Sequence, residues 1–360
     1  MSNSIVKTIE LRLRSLFNGW VGRGNPDVVD APQVCLPESA TERILLLRQD
    51  RIGDVLVSIP ILRALRRRFP SARIDMVLSA NNMAVESAVR VYCNTIHVYR
   101  KGLAGLFALR NRLKKENYGV VVDLMDNPSS TSGMLVAGAN SSYAVGIDKQ
   151  NRAVYTHVVP LRSRSSVHIV ERIANLLMPF GINPETTNLE LEYPLQAANE
   201  QAARNRLGLG GKPAIGVNIS GSDLSRMYPL DGVTSIAVYT RETFPECEVV
   251  ILAAPQHREL QTSVAAASGC RAIEPSVKFD EWAATIAQLH AIITPDTSVV
   301  HLAAAFKIPS VVLFVHDNPN LLPWYPYKTR CEPVETTTSS IANITVDEVC
   351  AAVSRLLRSL

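Results

Sequence analysis

The stretch Arg43 to Phe69 reads RILLLRQDRIGDVLVSIPILRALRRRF. It holds a short apolar run, a polar turn ending in Gly53-Asp54, and then a helical pattern. The apolar run predicts a strand over Ile44–Arg48, and the periodic segment predicts a helix over Val55–Phe69. Pro60 lies inside that helix and predicts a kink or a late start, because proline has no N–H to give to the preceding turn. In an open α/β sheet, a turn of this kind lies where a strand's carboxyl end meets a helix N-terminus, the edge at which such folds bind ligands. Gly53 permits a tight turn or a close backbone approach, and Asp54 sits in the first turn of the helix.

Short apolar runs and longer periodic ones alternate onward from Glu42, the pattern of βαβ units on a parallel sheet. In the first half the runs predict strands at Ile74–Leu78, Thr95–Val98, Val120–Asp123 and Tyr143–Gly146. Helices are predicted at Met83–Val91, Leu103–Glu116 and Val167–Phe180. Residues 182–194, INPETTNLELEYP, read as a connector. A second series follows, with strands Ala214–Ile219, Glu248–Ala253, Ala291–Thr294 and Ser310–Phe314. Its helices are Gln196–Leu207, Leu230–Glu242, His257–Ala267, Phe279–Leu289 and Ser298–Phe306. The fold class is therefore α/β, with two doubly wound domains in tandem and a cleft expected between them. The expected division is 1–40 as an amphipathic helix and linker, 41–190 as the first domain, and 191–335 as the second. Residues 336–360 form a tail whose helix, Val346–Leu360, follows a Thr/Ser segment long enough to cross back over the first domain.

Composition narrows the function. The chain has 360 residues, 47% of them hydrophobic and 19% charged, enough for two cores and against disorder. The net charge of +4 is too small to argue for nucleic acid, and no basic strand interleaved with aromatics appears. Arg63, Arg66, Arg67, Arg68 and Arg73 cluster, as do Arg100, Lys101, Arg110, Arg112, Lys114 and Lys115, so positive potential concentrates in the first half. That half suits an anionic acceptor or a membrane surface. Residues 4–21 place Ile5, Ile9, Leu13, Leu16, Phe17 and Trp20 at helical spacing with basic residues between them. Such a helix lies on a membrane surface or packs on the body of the protein. The six cysteines are scattered without a CxxC pair, and no apolar run reaches the length of a membrane span. Reduced thiols and a cytoplasmic location are the expectation, with peripheral contact at the inner membrane left open.

Three groups of residues carry the chemistry. Asp54 either caps the helix that it opens or serves as a general base toward an acceptor hydroxyl. After the run AIIT comes Pro295-Asp296-Thr297-Ser298-Val299-Val300-His301. Thr297 and Ser298 suit an N-cap, and the amides there suit a diphosphate. Asp296 would face the ligand, and His301 would hold the loop, contact a phosphate or simply pack. After the run AIGVNIS, the small residues around Ser220 and the nearby Arg226 either hold a diphosphate from the other side or are an ordinary exposed loop. Neither half has GxGxxG after its first strand, GLGGK at 208–212 lacks the Ser/Thr of a P-loop, and Ser129, Ser130 and Ser132 have no GxSxG context. Dinucleotide binding, P-loop chemistry and serine hydrolysis are unsupported.

Taken together, these residues resemble the heptosyltransferases, glycosyltransferase family 9. The first family pattern is matched by Arg48, Gly53, Asp54, Pro60, Leu62 and Arg63. The second, Asp-Thr followed by His-Leu-Ala-Ala, is matched by Asp296, Thr297, His301, Leu302, Ala303 and Ala304. The resemblance implies a GT-B architecture of two Rossmann-like domains, with a nucleotide-sugar donor held mainly by the second domain and the acceptor by the first. It implies inversion by direct displacement with Asp54 as base, and neither a cofactor nor a metal ion. Ser220, Arg226, Asp296, Thr297, Ser298 and His301 fall on the donor side, Gly53 and Arg63 on the acceptor side. The implied donor is ADP-heptose or a similar nucleotide sugar, and the implied acceptor is an anionic lipid-linked saccharide of the lipopolysaccharide core. The family's Lys-x-Trp-Pro reads Arg226-Met227-Tyr228-Pro229 here, and Ser298 stands where many members have Gly. Arginine keeps the charge but changes its geometry. A sugar-nucleotide epimerase on the same fold, or a non-catalytic sugar-nucleotide-binding protein, stays open as an alternative.

Overall fold

A computed structural model describes residues 22–360 apart from Leu209 and Ser222. The amphipathic helix expected over residues 4–21 lies outside the described residues. The chain divides into two compact units, Met1–Ser163 with Ile169–Leu189, and Arg164–His168 with Glu190–Leu360.

The first unit contains β1 (Asp27–Val28), β2 (Arg43–Leu47), β3 (Arg73–Ser79), β4 (Thr95–Tyr99), β5 (Val120–Asp123), β6 (Tyr143–Ile147) and β7 (His157–Val159). They form one sheet in the order β1-β7-β6-β5-β2-β3-β4, parallel throughout. Apart from the added edge strand β1, this is the doubly wound order in which the chain starts at the centre and winds first to one side and then to the other. The switch falls between β2 and β5. Ile44, Leu45, Leu46 and Leu47 have no exposed surface, which is why β2 is an unbroken apolar run rather than an alternating one: helices cover both faces of a parallel sheet. Burying each such side chain contributes about 1.5–3 kcal/mol.

The second unit contains β8 (Ala214–Asn218), β9 (Glu248–Leu252), β10 (Arg271–Ala272), β11 (Ala291–Pro295), β12 (Ser310–Val315) and β13 (Cys331–Thr336). Their order is β10-β9-β8-β11-β12-β13, again parallel. The winding is the same, with the switch between β8 and β11.

Several elements differ from the sequence expectation. The helix after β2 runs from Ile52 to Arg68 straight through Pro60. The proline is buried together with Val55–Leu62, so tertiary packing outweighs the hydrogen bond it removes. The pattern at Val167–Phe180 yields a short helix, Ile169–Ala174, and one 3₁₀ turn. The strands β1, β7, β10 and β13 were not expected. The first three span two or three residues, too short for a period, and β13 carries Pro333, which only an edge strand tolerates. The helix Ser130–Gly138 was also missed, being rich in Ser and Gly. Finally, the terminal helix Val346–Leu357, expected to cross back over the first domain, is part of the second unit. Its Val349, Ala352, Val353 and Leu356 join the core of the second, with Ile236, Ala237 and Val334, because that unit's sheet still has an uncovered face at β12 and β13.

Candidate active site

The switch point of the first unit is organised by Arg48. Its side chain, the first after β2, is 1% exposed. A buried cation needs partners, and Arg48 has them. Nε donates to the Asp54 carbonyl at 2.9 Å and Nη1 to the Leu124 carbonyl at 2.7 Å. Nη2 pairs with Asp54 Oδ1 at 3.4 Å, and Nη1 with Asp50 Oδ2 at 3.3 Å. The guanidinium thus joins the loop after β2, the helix start and the loop after β5. Asp54 does act as a cap, since its Oδ2 accepts the Arg51 amide at 3.1 Å. Each carboxylate oxygen has two lone pairs, so one acceptor position per oxygen is left, and the side chain is 16% exposed.

Around this pair lie residues the sequence reading passed over. Asp50 is largely buried, and its Oδ1 has no hydrogen-bond partner among the described residues. Burial, opposed by Arg48 and reinforced by Asp54 and Asp123, pushes its carboxyl up to about 7. Asp123, at the end of β5, accepts from Lys149 Nζ at 3.0 Å and from Tyr155 Oη at 2.6 Å. Their one sequence signal was position, since Asp50 and Asp123 lie at or just beyond strand carboxyl ends. Arg63 does not join the group. It lies farther along the helix and donates to the Asn188 carbonyl at 2.7 Å, tying down the connector. Gly53 occupies the helix's first turn beside Asp54.

The switch point of the second unit brings Ser220, Arg226, Asp296 and Thr297 together. Arg226, at the end of the 3₁₀ turn Leu224–Arg226, reaches from the loop after β8 to the loop after β11. Its Nη1 pairs with Asp296 Oδ2 at 2.8 Å and donates to the Asp296 carbonyl at 3.2 Å. Gly221 makes this loop possible: a Cβ there would stand 2.0 Å from the Arg226 carbonyl oxygen. Asn218 ties the two loops beneath, its Nδ2 donating to Thr294 Oγ1 at 2.9 Å while its Oδ1 accepts the Ser220 amide at 3.1 Å. Thr297 is the N-cap of the helix Ser298–Phe306, and its Oγ1 accepts the Val299 amide. Ser298 is the first residue of that helix, where the aligned peptide dipoles favour an anion.

Ser220 is held more firmly than its small-residue context suggested. Its Oγ accepts the Ala254 amide at 2.8 Å and lies 2.9 Å from His257 Nδ1. His257 follows the carboxyl end of β9 and is a further residue that the sequence pattern does not single out. Tyr228, in the place of the family's Trp, packs in the core and donates from Oη to the Ile344 carbonyl at 2.7 Å. His301 is 4% exposed, beside Trp324. Burial, with His168 nearby, lowers its imidazole to about 3, so the ring is neutral near pH 7 and offers a phosphate no positive charge. Among the described residues, no cluster of His, Cys, Asp or Glu has the make-up of a metal site, and no helix is long and apolar enough to cross a membrane. All six cysteines are free.

Comparisons with known proteins identify the family and the fold. The family model described as glycosyltransferase family 9 (heptosyltransferase) matches residues 106–349, more than half of the chain. The chain belongs to this glycosyltransferase family. Lipopolysaccharide heptosyltransferase 3 of Escherichia coli is 25% identical over 279 residues, which cover 73% of this chain and 80% of that protein. A crystal structure of a family 9 glycosyl transferase from Veillonella parvula superimposes with a TM-score of 0.76 at 18% identity, covering 91% of this chain and 99% of the other. The E. coli ADP-heptose lps heptosyltransferase II gives a TM-score of 0.67 at 20% identity, covering 88% and 99%. These structures show the fold, the α/β GT-B architecture of two Rossmann-like units. As a family 9 glycosyltransferase, the chain carries the Gly53-Asp54 turn and the Asp296-Thr297 turn at equivalent switch points of its two sheets.

Proposed function

We propose that this glycosyltransferase moves a heptose, or a closely similar sugar, from a nucleotide-diphosphate donor to an anionic lipid-linked saccharide of the lipopolysaccharide core, with inversion and without a metal ion. The observation that carries the reading is the Arg226–Asp296 pair beside the N-terminus of the helix Ser298–Phe306. A guanidinium and a helix N-terminus at one strand-end crevice suit a diphosphate, and together they would neutralise the charge that develops on it as it leaves. The structural likeness to the E. coli ADP-heptose lps heptosyltransferase II supports ADP-heptose as the donor. The name of the 25% identical relative points to a lipopolysaccharide acceptor.

In this reading Asp54 takes the proton from the acceptor hydroxyl as the new bond to the anomeric carbon forms and the bond to the diphosphate breaks. Arg48 fixes the carboxylate through Oδ1 and the peptide carbonyl of the same residue. A general base in this position is worth about 10²–10⁴ in rate. Thr297, Ser298 and Ser220 orient the donor, Gly53 leaves room beside Asp54, and Arg63 acts on the acceptor side by anchoring the connector. His301, neutral and buried, supports the Asp296 loop by packing.

The test is a calorimetric titration of ADP-heptose, UDP-sugars, GDP-sugars and ADP, with Asp296→Ala as the control, followed by a product assay in the presence of EDTA. Selective binding of ADP-heptose that the variant loses, and transfer that survives the chelator, are expected. Selective binding of another nucleotide sugar would move the donor. No binding of any of them would refute the reading.

A further inference from the structure

Between β4 and β5 the chain crosses over through the helix Leu103–Lys114. One side of this helix is spoken for: Leu106, Leu109 and Leu113 are buried in the core of the first unit. The flank beside that buried stripe is not polar, as a solvated face would be. Leu103 and Phe107, one turn apart, are 71% and 53% exposed. Helical geometry puts Lys114 on the same stripe, two turns beyond Phe107. From Arg100 to Lys115 there are six basic residues and no acidic one. Gly105 allows the preceding loop to fold onto the helix start, since a Cβ there would stand 2.0 Å from the Arg100 carbonyl oxygen. Arg100 and Lys101 are thereby kept beside Leu103, both of them exposed.

We propose that Leu103 and Phe107, ringed by Arg100, Lys101 and Lys114, dock the first unit on an anionic lipid bilayer. Two exposed apolar side chains inside a purely cationic segment match a surface that offers acyl chains below and phosphates above. A second copy of the chain would bring the same charge and repel it. Position supports the assignment. The loop Arg100–Gly102 leaves the carboxyl end of β4, and Asp54 follows the carboxyl end of β2; the strands are parallel and separated only by β3. Arg100, Lys101 and the helix start at Leu103 thus lie on the same sheet edge as the proposed base, about two strand spacings or roughly 10 Å apart along it. The inference rests on the proposed function only in taking the acceptor to be lipid-linked.

The test is co-sedimentation of the full-length protein with vesicles of phosphatidylcholine alone, or mixed equally with phosphatidylglycerol. Neither vesicle contains a saccharide acceptor. Wild type is expected to bind the anionic vesicles selectively, and Leu103→Ser/Phe107→Ser to bind them about tenfold less tightly. Arg100→Glu/Lys101→Glu should also bind less, with a flatter dependence on salt. Wild type that ignores anionic vesicles, or a serine variant that binds as wild type does, overturns the proposal; in the second case attachment lies elsewhere in the chain. Both serine substitutions are at exposed positions, and an unchanged thermal melt and ADP titration show that the variant is folded. Loss of ADP binding in the wild type would instead refute the donor reading and leave this proposal standing.

Discussion

The carboxyl edges of the two sheets have the same strand order and almost opposite chemistry. On the first, Asp50, Asp54 and Asp123 share two buried cations, Arg48 and Lys149, and one of the carboxylates is pushed up to about 7. On the second, Asn218, Ser220, Thr294 and Thr297 line the loops, and Asp296 is paired with the half-buried Arg226. A parallel sheet supplies the same crevice in both cases; what differs is the loop residue that follows each central strand. A charge-dense, carboxylate-rich edge suits handling a proton, whereas a small, neutral edge with one guanidinium and a helix N-terminus suits holding an anion.

The largest test of that contrast is Asp54→Asn. It should lower kcat by about 10²–10⁴-fold and leave calorimetric binding of the donor unchanged; near-normal turnover would remove Asp54 as the base. Next, Arg226→Met should weaken donor binding by about 1.5–3 kcal/mol, roughly tenfold to a hundredfold. Equal affinities in a titration would show that the second edge does not hold the diphosphate through this side chain.

The two remaining tests use pH, and their signs are opposite. His301 has its imidazole lowered to about 3, so the unfolded chain binds a proton that the native one refuses between pH 3 and about 6.5. Stability should rise with pH across that window and level off above it. In His301→Asn, thermal melts from pH 4 to 6.5 should show a flatter slope; an unchanged slope would mean that the ring is protonated in the native state. Asp50 behaves the other way, because its raised carboxyl keeps a proton that the unfolded chain releases from about pH 4. It therefore subtracts stability as pH rises toward 7 and is neutral to stability at lower pH. Asp50→Asn should raise Tm slightly at pH 8 and not at pH 4, provided that the lost pairing with Arg48 is the smaller effect. A drop in Tm at pH 8 would show that the ion pair dominates.

Much of this was legible in the chain, for identifiable reasons. Central strands such as RILLL and AIGVN are continuous apolar runs because both faces of a parallel sheet are covered, and their positions follow directly. Asp296 and Thr297 were singled out because they stand immediately after such a run, and Asp54 because it closes the polar turn that follows one. The misses share a cause as well. The contact of Arg48 with Leu124 and that of His257 with Ser220 depend on loops from different strands meeting, which no spacing along the chain records, and the role of Asp50 depends on the burial of its neighbour Arg48. Arg63 carried the right motif, but its helix turns it toward Asn188.

The sequence by itself determined the strand and helix alternation, the two tandem series and the turns that carry the chemistry, because burial period and turn chemistry are local properties. Only the tertiary structure decided which loops share a switch point, and that the last helix completes the second core. It also decided that Tyr228 is a packing residue and that His301 is neutral. Strand order, burial and electrostatic environment arise from contacts between residues far apart in the chain, and those contacts set what each side chain can do.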